Sequence, residues 1–147
     1  LKSKECLMQY KICPYSDDYM TFNEISGHYV LTEKAITDKC GTDIRTRLSD
    51  NLTVNPDTVI NMLLSTVSDT VYAYIHASSA YPKQKDWLIA HSQELREVVQ
   101  KAMEYQAVYF QMNGDLFMST ASSDDGKELS KLSKSILLNS GLLYSGV

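Results

Sequence analysis

Asn55-Pro56-Asp57-Thr58-Val59-Ile60-Asn61-Met62-Leu63-Leu64 opens the stretch whose reading decides the fold. Asn caps a helix, Pro suits the first helical position, and Asp favours the positive helix end. Val59, Ile60, Leu63, Leu64, Val67, Val71, Tyr74 and Ile75 then recur at helical spacing. The helix is expected to end near His76 or Ser78, before Tyr81-Pro82.

Downstream, an apolar stripe of Leu88, Leu95, Val98, Val99, Ala102, Met103, Ala107 and Phe110 predicts one long helix from Lys85 to Met112. The short connection at 79–84 favours antiparallel packing of the two helices. Asn113-Gly114-Asp115 should stop the long helix. Residues 115–129 read as loop, with a short strand conceivable at Leu116-Phe117-Met118. Ser133 is placed to cap a final helix, Lys134 to Asn139, ended by Gly141.

Upstream, Leu31-Thr32-Glu33-Lys34-Ala35-Ile36 starts a helix capped by Thr32 and stopped by Gly41, with a second short piece at Ile44–Leu48. Residues 1–31 lack a clear period and read as an extended arm or irregular wrap, with a short strand near Tyr29-Val30. The expected fold class is all-α: a small helical bundle over 29–140, an N-terminal arm over 1–28 and a C-terminal docking tail over 141–147. No internal repeat is found.

The 147 residues suit one domain, and 44% apolar residues supply a core without staples. Fourteen basic residues are scattered among eighteen acidic ones, for a net charge of −4, so no phosphate grip is built. An odd cysteine count, Cys6, Cys13 and Cys40, fits a reducing compartment better than secretion. No apolar run is long enough for a membrane helix. The opening LKSKECLMQYKICPYSDDY has no apolar core of a signal peptide, so none is expected.

Catalytic and metal motifs are sparse. His28, His76 and His91 stand far apart in the chain, with no partner at metal spacing. A zinc set of Cys6, Cys13, His28 and Cys40 has no C-x-x-C knuckle behind it, and thiols without metal are the expectation. Asp124-Asp125-Gly126 and Asn113-Gly114-Asp115 lack calcium-loop spacing and read as turns. There is no nucleophile elbow, phosphate loop or H-E-x-x-H. No enzyme activity, cofactor or metal is expected.

Ten tyrosines are the odd feature of the composition. Tyr72, Tyr74, Tyr105 and Tyr109 fall on the two long helices, where they can be core-rim residues or a subunit interface. Tyr105 and Tyr109 are one turn apart and form a patch. The strip Leu142 to Val147 carries no charged side chain. It either folds back on the chain's own core or docks on something else.

A capped helix, a short second piece, an Asn-Pro-started apolar helix and a long helix closing on an Asn-Gly-Asp turn occur here in the order seen in a known family. So does a Ser-capped short helix followed by Gly-Leu-Leu-Tyr-x-Gly-Val, here Leu132-Ser133, Leu138 and then Gly141 to Val147. Over roughly 29–147 the chain resembles the head-to-tail connector (head-completion, adaptor) proteins of tailed bacteriophages. Two differences stand out: the N-terminal 28 residues are longer than in that family, and Lys134 occupies a position where Pro is common.

The resemblance implies a structural virion protein, made in the host cytoplasm and placed at the capsid–tail junction. It implies a homo-oligomeric, dodecameric ring under the portal protein that receives a tail or stopper protein and lets DNA pass without sequence-specific binding. No membrane is involved. It also implies portal docking by the C-terminal segment, Gly141, Leu142, Leu143, Tyr144, Ser145, Gly146 and Val147. Seven extended residues reach at most about 23–25 Å, enough to cross a protein–protein seam. The alternative expectation is another helical interaction module, such as a tail-completion or regulatory adaptor.

Overall fold

A computed structural model describes residues 16–41, 43–49, 55–113 and 129–143. These form strands β1 (Met20–Asn23) and β2 (His28–Leu31), then helices α1 (Glu33–Cys40), α2 (Ile44–Ser49), α3 (Pro56–Ala77), α4 (Pro82–His91), α5 (Gln93–Asn113) and α6 (Lys131–Ser140). The protein is mostly helical, but the expectation of an all-α fold is corrected by this two-stranded sheet.

β1 and β2 pair antiparallel, with Met20 opposite Leu31 and Phe22 opposite Tyr29. The period-2 signal is real but only four residues long on each strand: Tyr29 and Leu31 point inward and His28 and Val30 are half-buried. The turn carries no Asn-Gly pair. Instead the Asn23 carboxamide oxygen accepts from the Ile25 N–H at 2.9 Å and the Ser26 N–H at 3.3 Å. Gly27 then takes φ +76° and donates to the Asn23 carbonyl at 2.8 Å. Met20 is 4% exposed. Residues 20–28, placed in an arm by the sequence reading, are therefore half of a packed hairpin; residues 1–15 lie outside the described set.

A lone two-stranded hairpin is marginal in water. This one survives because side chains occupy both of its outer edges. The N–H groups of Tyr29 and Leu31, which face away from β1, donate to Tyr72 Oη and Ser68 Oγ on α3, each at 3.0 Å. On the other edge the N–H of Met20 donates to Asp17 Oδ1 and that of Phe22 to Ser16 Oγ, also each at 3.0 Å. This explains why Ser68 and Tyr72, four residues apart, are buried on α3, whereas Tyr74, expected in the stripe, is 41% exposed.

The helix starts follow the capping rules. Thr32 accepts from the Ala35 N–H, and Gly41 closes α1 at φ +69°. Asn55 accepts from the Asp57 N–H, with Pro56 behind it. Arg45 of α2 bridges Glu33 and Asp57 at 2.9 and 2.7 Å, linking the first turns of α1 and α3. These groups are largely exposed, so each pair contributes only modestly.

Two expectations fail at helix caps. The single helix expected over 85–112 is broken at Ser92, which adopts extended backbone at φ −120°, ψ 115°. Its carbonyl and hydroxyl accept from the N–H groups of Arg96 and Leu95, so it is the N-cap of α5. The break resets the helical phase. Leu88 is exposed, and Ile89 and Ala90 are buried in its place. Likewise Ser130, not Ser133, caps α6, which starts one turn earlier than expected. Ser133 is buried, and its hydroxyl donates to the Ala102 carbonyl on α5 at 2.7 Å. One hydrophobic cluster runs through the hairpin and the helices, from Met20 and Leu31 through Ile36, Leu63 and Met103 to Leu137 and Leu143.

Candidate functional site

The C-terminal strip starts where the sequence placed its helix stop. Gly141 takes φ +86° with open space around the position a Cβ would occupy, so glycine is required by the dihedral and not by crowding. The N–H groups of Leu142 and Leu143 both return to the Leu137 carbonyl, at 3.1 and 3.2 Å. Their side chains are 3% and 8% exposed and belong to the core. The Leu142 carbonyl accepts from Lys85 Nζ on α4 and from Ser78 Oγ beyond the end of α3. Burial holds the Lys85 amine below the usual lysine range. Leu142 and Leu143, named above as portal-docking residues, are thus core residues of this chain, because the reversal at Gly141 turns them back onto α6. Tyr144, Ser145, Gly146 and Val147 lie outside the described residues.

The second expected feature, the Tyr105–Tyr109 pair, sits half-buried on α5. Both rings line one groove of about 940 Å³, with Cys40, Val108, Met112, Leu129 and Leu132 among its other walls. Met112 is 78% and Leu132 62% exposed, so part of the groove's apolar lining faces outward. Cys40 closes one end, and its thiol donates to the Glu104 carbonyl at 3.6 Å. Burial, and then the Glu104 carboxylate, push this thiol up to about 11. Cys6 and Cys13 of the four-residue zinc set lie outside the described residues, and His28 is engaged elsewhere.

That engagement is the feature the sequence did not reveal. His28 at the start of β2, His76 in the last turn of α3 and Asp86 on α4 meet at one point. Asp86 Oδ2 is 3.2 Å from His28 Nε2, and Asp86 Oδ1 is 2.7 Å from His76 Nε2. The His28 ring stacks on Tyr72, with centroids 4.1 Å apart and planes within 7°, and meets His76 edge-on at 4.9 Å. The side chains keep 24%, 29% and 17% exposure. Burial pushes the Asp86 carboxyl up, but hydrogen bonds and charge from the two imidazoles outweigh it, and the carboxyl ends below the ordinary range. The cluster opens into a depression that also touches Ser26, Tyr81, Pro82, Lys83 and Gln84. His28 precedes Asp86 by 58 residues and His76 precedes it by ten, a separation without a local motif. His91 is apart from them, stacked on Trp87 at 3.9 Å.

Among the described residues no helix is long and apolar enough to cross a membrane. A scan against family models, a search of curated proteins and a search of solved structures each found no match for this chain.

Proposed function

We propose that this chain is a structural ring adaptor between the capsid portal and the tail of a tailed bacteriophage, extending the DNA channel and completing the head after packaging. The observation that carries the reading is the anchored base of the C-terminal strip. Gly141 reverses the chain, Leu142 and Leu143 lock it into the core, and Lys85 and Ser78 hold the Leu142 carbonyl. Tyr144-Ser145-Gly146-Val147, with no charged side chain, follows directly on this packed root. A short segment held at its root loses less freedom on docking, so main-chain pairing and one amphipathic tyrosine go further toward net affinity.

In this reading the groove around Tyr105 and Tyr109 takes a neighbouring copy in a dodecameric homo-oligomer. The portal and a tail or stopper protein bind its two ends. The scattered charge lets DNA pass without a sequence-specific grip. The protein works in the virion without catalysis.

Removal of Tyr144–Val147 tests the docking role. The shortened protein should keep its melting midpoint and lose binding to purified portal; retained binding would overturn it. Light scattering with and without portal tests the ring. A species that stays monomeric in both conditions would favour a different helical interaction module, such as a tail-completion or regulatory adaptor.

A further inference from the structure

We infer that His28, His76 and Asp86 form a site for one divalent transition-metal ion of the zinc class, with three protein ligands and a fourth position open to the adjoining depression. The inference rests on this cluster alone and is independent of the adaptor reading.

The donor set is two imidazole nitrogens and one carboxylate oxygen, which suits zinc and its neighbours; magnesium and calcium prefer oxygen-rich shells. One ligand atom from each residue lies within 4.8 Å of the other two. A tetrahedral ion with bonds of about 2.0–2.1 Å holds its ligands roughly 3.3 Å apart. The two close contacts use different carboxylate oxygens, His28 Nε2 to Oδ2 at 3.2 Å and His76 Nε2 to Oδ1 at 2.7 Å, so the Asp86 carboxylate has to turn, or ligate through both oxygens, as the set draws together on the ion. Binding exchanges the two N–H···O contacts for nitrogen–metal bonds, with each imidazole carrying its proton on Nδ1.

Three further observations favour an ion. The ligands come from three different elements, β2, α3 and α4, so their convergence is fixed by the fold and not by one flexible loop. The His28 ring is oriented by stacking on Tyr72, whose hydroxyl is itself tied to the Tyr29 N–H; such support is what keeps a ligand aimed. Among the described residues Asp86 forms ion pairs with the two histidines only, and neighbouring Lys85 is directed to the Leu142 carbonyl. The open side, bordered by Ser26, Tyr81 and Gln84, leaves room for water or for a ligand from another molecule.

The test uses the full chain, stripped with a chelator and titrated with Co²⁺ by visible absorption and with Zn²⁺ by calorimetry. The expected result is one ion per chain, with affinity falling by more than about tenfold in each of His28→Gln, His76→Gln and Asp86→Asn. His91→Gln and the triple change Cys6→Ser, Cys13→Ser, Cys40→Ser should bind as the parent does. Because a ligand variant can lose its fold, the parent is also followed by NMR of the histidine ring nitrogens. Zn²⁺ should move Nε2 of His28 and His76 and leave His91 in place. Absence of binding at micromolar zinc would overturn the proposal and leave a hydrogen-bonded clamp. Binding that disappears with the cysteines, or ring nitrogens that do not move, would overturn it equally.

Discussion

Tyr72 acts in three directions at once: its ring fills the core, its face supports His28, and its hydroxyl accepts from the Tyr29 N–H. Burial pushes that hydroxyl well above the usual tyrosine range, with the accepted N–H acting against it, so it stays protonated at any working pH. Replacing Tyr72 with Phe keeps the ring and leaves a strand N–H without its acceptor. The expected cost is about 1–3 kcal/mol in denaturant unfolding; a variant as stable as the parent would show that the edge bond contributes nothing. Cys40 makes a second residue-level prediction. With its thiol pushed up to about 11, little thiolate exists at pH 8. In a chain carrying Cys6→Ser and Cys13→Ser, alkylation of Cys40 should run on the order of a hundredfold slower than that of a small free thiol. A rate equal to the free thiol would refute the raised thiol.

The elements that were legible in the sequence are those with short-range chemistry at their ends. Thr32 with Gly41, Asn55 with Pro56, and Gly141 each act within a few residues, so their pattern can be read along the chain. Ser92 and Ser130 were equally local but ambiguous. Ser92 sits inside an apolar stripe that continues past it, and Ser130 competes with Ser133 for the same role. Only packing decides between the latter two, because Ser133 has the Ala102 carbonyl to bind. The hairpin was hidden for another reason: two four-residue strands carry too few alternations, and their stability comes from Ser68 and Tyr72, far along the chain. The metal-type cluster is the extreme case, since nothing links His28 to Asp86 until α3 and α4 fold. At this scale Ser92→Ala should destabilise by about 1 kcal/mol through loss of a cap, read as a lower thermal midpoint. Leu142→Ala and Leu143→Ala should each cost roughly 2–5 kcal/mol, because both leucines are core residues. A surface-like loss below about 0.5 kcal/mol at Leu142 would return it to the docking segment.

Across the whole molecule the core is one cluster shared by hairpin and helices, which predicts a single cooperative transition. The amides of Tyr29 and Leu31 should exchange with solvent only through global opening, at the same free energy as amides in the middle of α3. Much faster exchange in β2 would mean that the hairpin is a separate, weaker unit. The two occupied outer edges of the hairpin would matter most in the proposed ring, where many copies would crowd around one axis. Local concentration there is high enough for any open strand to recruit its neighbours into a growing sheet. Asp17 and Ser16 on one side, Ser68 and Tyr72 on the other, already hold the outward amides that such growth would use. Edge-to-edge pairing between copies would be opposed at its first step, and the proposed ring would close without a competing route to fibres.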